Sequence, residues 1–213
     1  SQSIVDTGER VLPELKPYQK DVAKNVMMPG NAIRRHPIVE QRTRDLIEYA
    51  ESAPVNRVEM SSTKLGIITS STSYQYAKEV FGDQASILKL GMIYPLPKKL
   101  ILDFAAKVDK LVVIEELDAV IEEHCRELGL EVSGKDILPL EGEYSQRLIA
   151  QKLGVPVPEG KQIADAIPVR PPVMCAGCPH RGMFYTLHKN KVTVMGDIGC
   201  YTLGAAAPLS AID

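Results

Sequence analysis

Three of the four cysteines lie near the end of the chain, in two short phrases. VMCAGCPHRGMFY (173–185) holds Cys175 and Cys178 around an Ala-Gly pair, with Pro179 and His180 directly after. GDIGC (196–200) brings Asp197, Gly199 and Cys200, and Tyr201 follows. Pro179 marks a first-turn position, so the pair sits where a helix begins. There the helix dipole and unpaired N–H groups favour a thiolate. Three chemistries are open to such a set. A zinc ion or an iron–sulfur cluster wants four ligands, and three thiolates with His180 or His188 would supply them. The spacing C-x2-C-x21-C fits no standard zinc finger, however. A redox pair is the second option, although its CxxC normally follows the first strand of its own βαβ unit. In the third, small residues, thiols and His180 line a cofactor pocket without binding metal.

These residues need elements to place them. Met183, Phe184 and Leu187 form one stripe of a helix after Pro179. KVTVM (191–195) reads as a strand with GDIGC as the loop at its carboxyl end, and GAAAPLSAID as the start of a close-packed helix. One helix and one strand cannot bury a core of their own, so this unit reads as cut short. Before it, residues 154–173 contain five prolines and two glycines, which reads as a domain boundary.

Upstream, strand and helix signals alternate. LGIITSS (65–71), SILKLGM (86–92), KLVVIEE (110–116) and DILPL (136–140) are short apolar runs. Between them run helices striped by Tyr76, Ala77, Val80 and Phe81; by Leu100, Ile101, Phe104, Ala105 and Val108; and by Ile121, Cys125 and Leu128. Asp118 is placed to cap the third, and Gly129 to follow its end. A further helix spans Tyr144 to Leu153. Strands apolar on both faces imply an α/β fold, with a mostly parallel sheet covered by helices on both sides. Ligands of such sheets sit at the carboxyl ends of the strands, here TSST (69–72), MIYPLP (92–97) and EELD (115–118). Glu115 and Glu116 end a strand whose register buries one of them, and a buried carboxylate needs a partner. Residues 1–38 read as an irregular arm interrupted by Pro13, Pro17, Pro29 and Pro37, with a helix from Ile38 to Ala53.

The divisions expected are an arm and helix over 1–55, an α/β domain over 56–155, a linker over 156–172 and an incomplete domain over 173–213. The net charge of −2 offers no field for nucleic acid. No run of about 18 apolar residues spans a membrane. The first residues, SQSIVDTGERVLPELK, do not read as a secretion signal, so a reducing, cytoplasmic compartment is expected.

RPPVMCAGCPHRGMFY followed by GDIGCYTLG resembles the start of the thiamine-diphosphate-binding domain in the alpha subunit of indolepyruvate ferredoxin oxidoreductases. VMMPGNAIRRHPIVEQR resembles the segment leaving that family's first domain. LGMIYPLPKKLILDFAAKVDKLVVIEELDAVIEE resembles its transketolase C-terminal-like domain. The resemblance covers essentially the whole chain and keeps the family's order. It implies oxidative decarboxylation of indolepyruvate and other aryl pyruvates with coenzyme A, giving aryl-acetyl-CoA, carbon dioxide and reduced ferredoxin. It also implies thiamine diphosphate with Mg²⁺, [4Fe–4S] clusters and a beta subunit.

Three features of the family are not met: its N-terminal pyrimidine-binding domain, its later GD…N segment for Mg²⁺ and diphosphate, and its cysteine-rich tail. The chain therefore reads as an internal fragment that is inactive by itself and self-associates. The resemblance favours the pocket reading. Cys175, Cys178, His180, Asp197, Gly199, Cys200 and Tyr201 would then border the cofactor, with Cys175, Cys178 and Cys200 as cluster ligands in the alternative. Each also has an ordinary role: His180 as a donor at a helix start, Asp197 as a turn former, Tyr201 in packing. His36, His124 and His188 read as surface or packing residues. A different class altogether is a binding or assembly module with a structural zinc at the cysteines.

Overall fold

The structure is a computed structural model, and it describes residues 8–9, 11–157, 160, 166, 168–169 and 171–212. Much of the expected linker over 156–172, and the start of the arm, lies outside the described residues. Two compact units appear, Ser1–Glu159 and Gly160–Asp213.

The first unit opens with a single-turn helix, α1 (Val22–Asn25), whose cap is Asp21 accepting from the Lys24 N–H at 3.0 Å. Helix α2 then runs from Pro29 to Ala50, nine residues earlier than the Ile38 start expected from the sequence. Pro29 fits because the first turn has no use for its missing N–H. Pro37 lies inside the helix, where proline removes one ladder bond, yet the helix continues through it.

Four strands follow: β1 (Arg57–Glu59), β2 (Gly66–Ser70), β3 (Ser86–Leu90) and β4 (Leu111–Ile114). Their spatial order is β1-β3-β2-β4; β3, β2 and β4 run parallel and β1 lies antiparallel on the β3 edge. The crossovers are α3 (Ser71–Phe81), between β2 and β3, and α4 (Lys98–Ala105), between β3 and β4. Helices α5 (Val120–Glu127) and α6 (Gln146–Lys152) come after the sheet. The strand pleat sorts the core into two layers. Ile67, Ile87, Val112 and Ile114 pack with Ala77, Phe81 and Ile149 of α3 and α6. Ile68, Leu88 and Val113 pack with Ile101, Phe104, Ile121 and Cys125 of α4 and α5. The mixed α/β architecture with helices on both faces is the one expected.

The structure departs from the local expectations at two points. DILPL (136–140) forms no strand, and pairing reaches only an isolated parallel bridge, Val112 to Ser133. Asp136 folds back to accept the Gly134 N–H at 2.6 Å, and the Leu138 N–H goes to the Gly134 carbonyl at 2.8 Å. The chain therefore turns away from the β4 edge. Strand β1 was not anticipated, because three residues carry no periodicity. Gly129 does close α5 as expected, with φ +79, letting the Leu130 N–H reach the Cys125 carbonyl at 3.0 Å.

The second unit contains α7 (Pro179–Lys189), with Pro179 in its first turn as expected, and a 3₁₀ helix at Cys200–Ala205. KVTVM is not a strand, and GAAAPLSAID begins no α-helix. A strand needs a neighbour to take its N–H and C=O groups, and the described residues of this unit offer none. The tail instead turns back so that Ala211 donates its N–H to the Gly204 carbonyl at 2.8 Å. Met174, Phe184 and Ala211 form a small core. Gly204 is required there, because a Cβ would strike the Phe184 ring.

Candidate functional site

Helix α7 starts at the second of the paired cysteines. Cys178 is its cap residue and is half-buried against the small core, whereas Cys175, one turn earlier, is exposed. The Cys178 N–H donates to the Cys175 carbonyl at 3.2 Å, and Gly177 closes the turn with φ +75. Arg181, a turn into the helix, donates from its guanidinium to the Met174 carbonyl and so ties the helix back to this phrase.

The GDIGC loop is closed by its own polar groups. Asp197 Oδ1 accepts the Ile198 N–H at 2.6 Å. Thr202 Oγ1 accepts the Gly199 N–H at 3.0 Å and donates to the Asp197 carbonyl at 2.9 Å. Asp197, Gly199 and Cys200 are exposed, and Tyr201 is half-buried. The structure brings His180 and Tyr201 together edge to face, with ring centroids 5.9 Å apart, and His180 also lies 6.2 Å from the Phe184 ring. Thr202 escaped the sequence reading; its signal was a hydroxyl five residues after the turn-forming Asp197.

Among the described residues, no three His, Cys, Asp or Glu side chains converge as ligands of a metal ion. The structural-zinc alternative therefore finds no support. The same unit holds a cavity of about 170 Å³ bordered by Val173, Met174, Arg181, Leu203, Ala207 and Leu209, which is mainly apolar.

In the first unit, the strand-end carboxylates take structural partners. Glu115 accepts the N–H groups of Ile121 and Glu122, each at 2.9 Å, and so caps α5 in place of the expected Asp118. Burial pushes its carboxyl above the ordinary value, while those two N–H bonds and Lys135 pull it back. Glu116 accepts the Tyr144 N–H at 2.7 Å. Lys135 donates to the Glu115 carbonyl and to the Tyr144 hydroxyl. Glu122 is buried and held by Arg126 at 2.6 Å, and Gly134 must be glycine because a Cβ would meet that carboxylate. Glu51 does the same service for α4 that Glu115 does for α5: its two oxygens accept the Lys99 and Leu100 N–H groups at 2.9 and 2.7 Å. Of the histidines, His36 lies 3.7 Å from Glu40, His188 lies 3.2 Å from the Ser210 carbonyl, and His124 keeps a buried Nε2 with no hydrogen-bond partner.

Layered helices around a short, mostly parallel sheet, followed by a second unit presenting cysteines at a helix start, define a two-unit α/β chain. Comparison with curated proteins gives the particular relation. The chain is 33% identical over 219 residues to the indolepyruvate oxidoreductase subunit IorA of Archaeoglobus fulgidus, covering 92% of this chain and 35% of that one. It is 32% identical to IorA of Thermococcus kodakarensis, covering 98% and 36%. It is 33% identical to IorA of Methanothermobacter marburgensis, covering 100% and 39%. The chain is thus homologous to a stretch of the IorA subunit, and spans somewhat over a third of that subunit's length. No protein-family model matches it. Among solved structures, a 2-oxoglutarate:ferredoxin oxidoreductase from Magnetococcus marinus aligns with a TM-score of 0.44 and 15% identity, covering 60% of this chain and 23% of that one. No helix among the described residues is long and apolar enough to cross a membrane.

Proposed function

We propose that this chain serves as part of the subunit that oxidatively decarboxylates indolepyruvate and other aryl pyruvates with coenzyme A and ferredoxin. The observation that carries the proposal is sequence identity of 33% to an indolepyruvate oxidoreductase subunit, sustained over 92% of the chain. A beta subunit, ferredoxin and a reducing, cytoplasmic setting go with this reading; exposed thiols at Cys175 and Cys200 suit such a setting. The first unit takes the place of the transketolase C-terminal-like domain. The second takes the place of the beginning of the thiamine-diphosphate domain. [4Fe–4S] clusters belong to the whole enzyme.

Thiamine diphosphate with Mg²⁺ is fitted only in part. His180 and Tyr201, with Cys175, Cys178 and Cys200 near them in sequence, offer aromatic and thiol surface suited to one side of a heteroaromatic ring. The diphosphate end is not met by the described residues. The Ile198 and Gly199 N–H groups are already taken by Asp197 and Thr202, and no carboxylate cluster awaits Mg²⁺. No step is therefore assigned to the cofactor here. The role left to Asp197 and Gly199 is to fix the loop that carries Cys200 and Tyr201.

The test is a chimera in which this chain replaces its homologous stretch in Archaeoglobus fulgidus IorA. The expected result is indolepyruvate-dependent ferredoxin reduction that requires coenzyme A, lowered at least about tenfold by His180→Ala. A chimera that assembles with its second subunit yet reduces no ferredoxin overturns the reading. The isolated chain should self-associate, since Ile93, Tyr94, Leu117 and Val120 are exposed. A monodisperse monomer by light scattering would count against that part.

A further inference from the structure

One strand-end loop has no part in the proposed function: MIYPLP (92–97), which connects β3 to α4. It lies at the carboxyl end of its strand, the end where parallel sheets hold their ligands. A cavity of about 480 Å³ opens beside it, within the size range of small-molecule sites. Its walls are mostly apolar: Ile47 of α2, Ile93, Tyr94, Pro95 and Leu96 of the loop, and Val120 of α5. All of them belong to the first unit.

His124, on the second turn of α5, is also part of the wall. Its side chain is 27% exposed, yet Nε2 is buried. Among the described residues, that atom is the one buried side-chain nitrogen or oxygen without a hydrogen-bond partner. Such an orphan costs free energy that a partner would return. Glu127 faces the other ring nitrogen, with its Oε2 3.9 Å from Nδ1. In the neutral ring, that carboxylate favours the proton on Nδ1 and leaves Nε2 with a lone pair. What is missing is therefore a donor. Bulk water does not touch Nε2, so the donor has to be carried in by an occupant of the cavity, after a small turn about the soft χ2 torsion of the imidazole.

The surroundings also set the charge of that occupant. An ammonium or a carboxylate drawn to a buried nitrogen would lose more hydration than one hydrogen bond returns. On the cavity wall, Lys98 opposes a cation, and Glu123 and Glu127 oppose an anion. The apolar walls, with the Tyr94 ring among them, suit a planar ring. We infer that this cavity binds a small uncharged aromatic molecule carrying one N–H or O–H, of the phenol or indole kind. Its hydrogen is donated to His124 Nε2, and its ring lies on Ile93, Tyr94 and Val120. The site rests on the first unit alone and stands whether or not the chain works as proposed above.

The experiment titrates phenol and indole into the ¹⁵N-labelled full chain. Saturable shifts are expected at residues 93–96 and 120–127. Anisole and 1-methylindole, which keep the ring and lose the donor, should bind at least about fivefold more weakly. Benzylamine and benzoate should also bind more weakly than phenol. His124→Phe keeps a planar ring and removes the acceptor, so it should bring phenol down to the level of anisole. Tyr94→Ala should weaken every ligand alike. Tyr94 is 79% exposed, and circular dichroism verifies the fold of both variants. Anisole or 1-methylindole binding as well as its parent would overturn the assignment. So would a preference for phenol over anisole that survives His124→Phe, or tighter binding of either ion. No response at about 20 mM ligand, or shifts confined to other residues, would overturn the site itself. Ile93, Tyr94 and Val120 also serve the self-association expected above, so the titration is repeated at a second chain concentration. A dissociation constant that changes with chain concentration would put the ligand between copies and overturn the proposal.

Discussion

Two apolar, β-branched runs of similar length meet opposite fates in this chain. LVVI, at 111–114, is β4, buried at every position and paired in parallel with β2. KVTVM, at 191–195, pairs with nothing among the described residues and is largely exposed. Intrinsic preference is the same in both; the neighbour differs. β-Propensity is a statement about fitting a pleated, half-buried surface, and among the described residues only the unit ending at Glu159 provides that surface. The cysteines divide in the same way. Cys125 is inside the first unit, and Cys175 and Cys200 are on the outside of the second.

That division gives the largest effect to look for. Burial pushes the Cys125 thiol up to about 12, so at pH 8 almost none of it is thiolate. With iodoacetamide under native conditions, Cys175 and Cys200 should be modified first, and Cys125 roughly a thousandfold more slowly. Peptide mass spectrometry over time reads this directly. Equal rates would mean that the α5 face is not packed as described.

Next in size are paired core truncations. Phe104 is 1% exposed in a layer that includes Ile68, Leu88 and Val113. Phe104→Ala should cost about 3–5 kcal/mol in urea unfolding. Phe184 belongs to a core of three buried residues, where neighbours can close over the gap. Phe184→Ala should therefore raise amide exchange in α7 by only about 1–2 kcal/mol of opening free energy. An equally large loss in both would erase the contrast between the units.

Smaller again is the cap of α5. Removing the Glu115 carboxylate leaves two buried N–H groups without partners, so Glu115→Ala should destabilise by roughly 2–3 kcal/mol. Asp118→Ala, at the cap position suggested by the sequence, should cost well under about 1 kcal/mol. The reverse order would restore Asp118 as the cap.

That pair of residues shows where sequence reading works and where it stops. The three parallel strands, the stripes of α3, α4 and α5, and the stop at Gly129 were legible, because each is written in residues close together. Glu51 on α4 was not legible, since it acts across 48 positions, and no local pattern marks such a reach. Helix α2 starts nine residues before the position that Pro37 suggests as a breaker, because the helix continues through that proline. DILPL had the right composition but carried Asp136, whose side chain competes for the backbone and wins. In the second unit, the helix start at Pro179 was legible, whereas the edge-to-face contact of His180 with Tyr201 is not written in any local spacing. The closing role of Thr202 depends on a loop geometry that spacing alone does not give.

The smallest effect concerns how an edge strand is kept, which is what KVTVM lacks. Strand β1 is three residues long and pairs on one side only. Its last residue, Glu59, accepts the Tyr74 hydroxyl at 2.7 Å and the Lys78 ammonium at 3.0 Å, both from α3. The Tyr74 hydrogen bond first, and Lys78 second, hold the Glu59 carboxyl below its ordinary value of 4.5. A group with a depressed folded pKa stabilises above its unfolded value and loses that contribution as pH falls through the folded value. The difference in stability between the native chain and Glu59→Gln should therefore be flat near neutrality, about 1 kcal/mol, and should shrink as the solution is acidified below about pH 4. Glu115 runs the other way. Its folded pKa is raised, so its contribution falls as pH rises past its unfolded value, and the net acid profile of the native chain mixes both signs. Subtracting the Glu59→Gln profile from the native one removes the Glu115 part, because that residue is common to both. A difference that grows on acidification would mean that Glu59 does not clamp β1 to α3 as a carboxylate, and that the short edge strand stands on its ladder bonds alone.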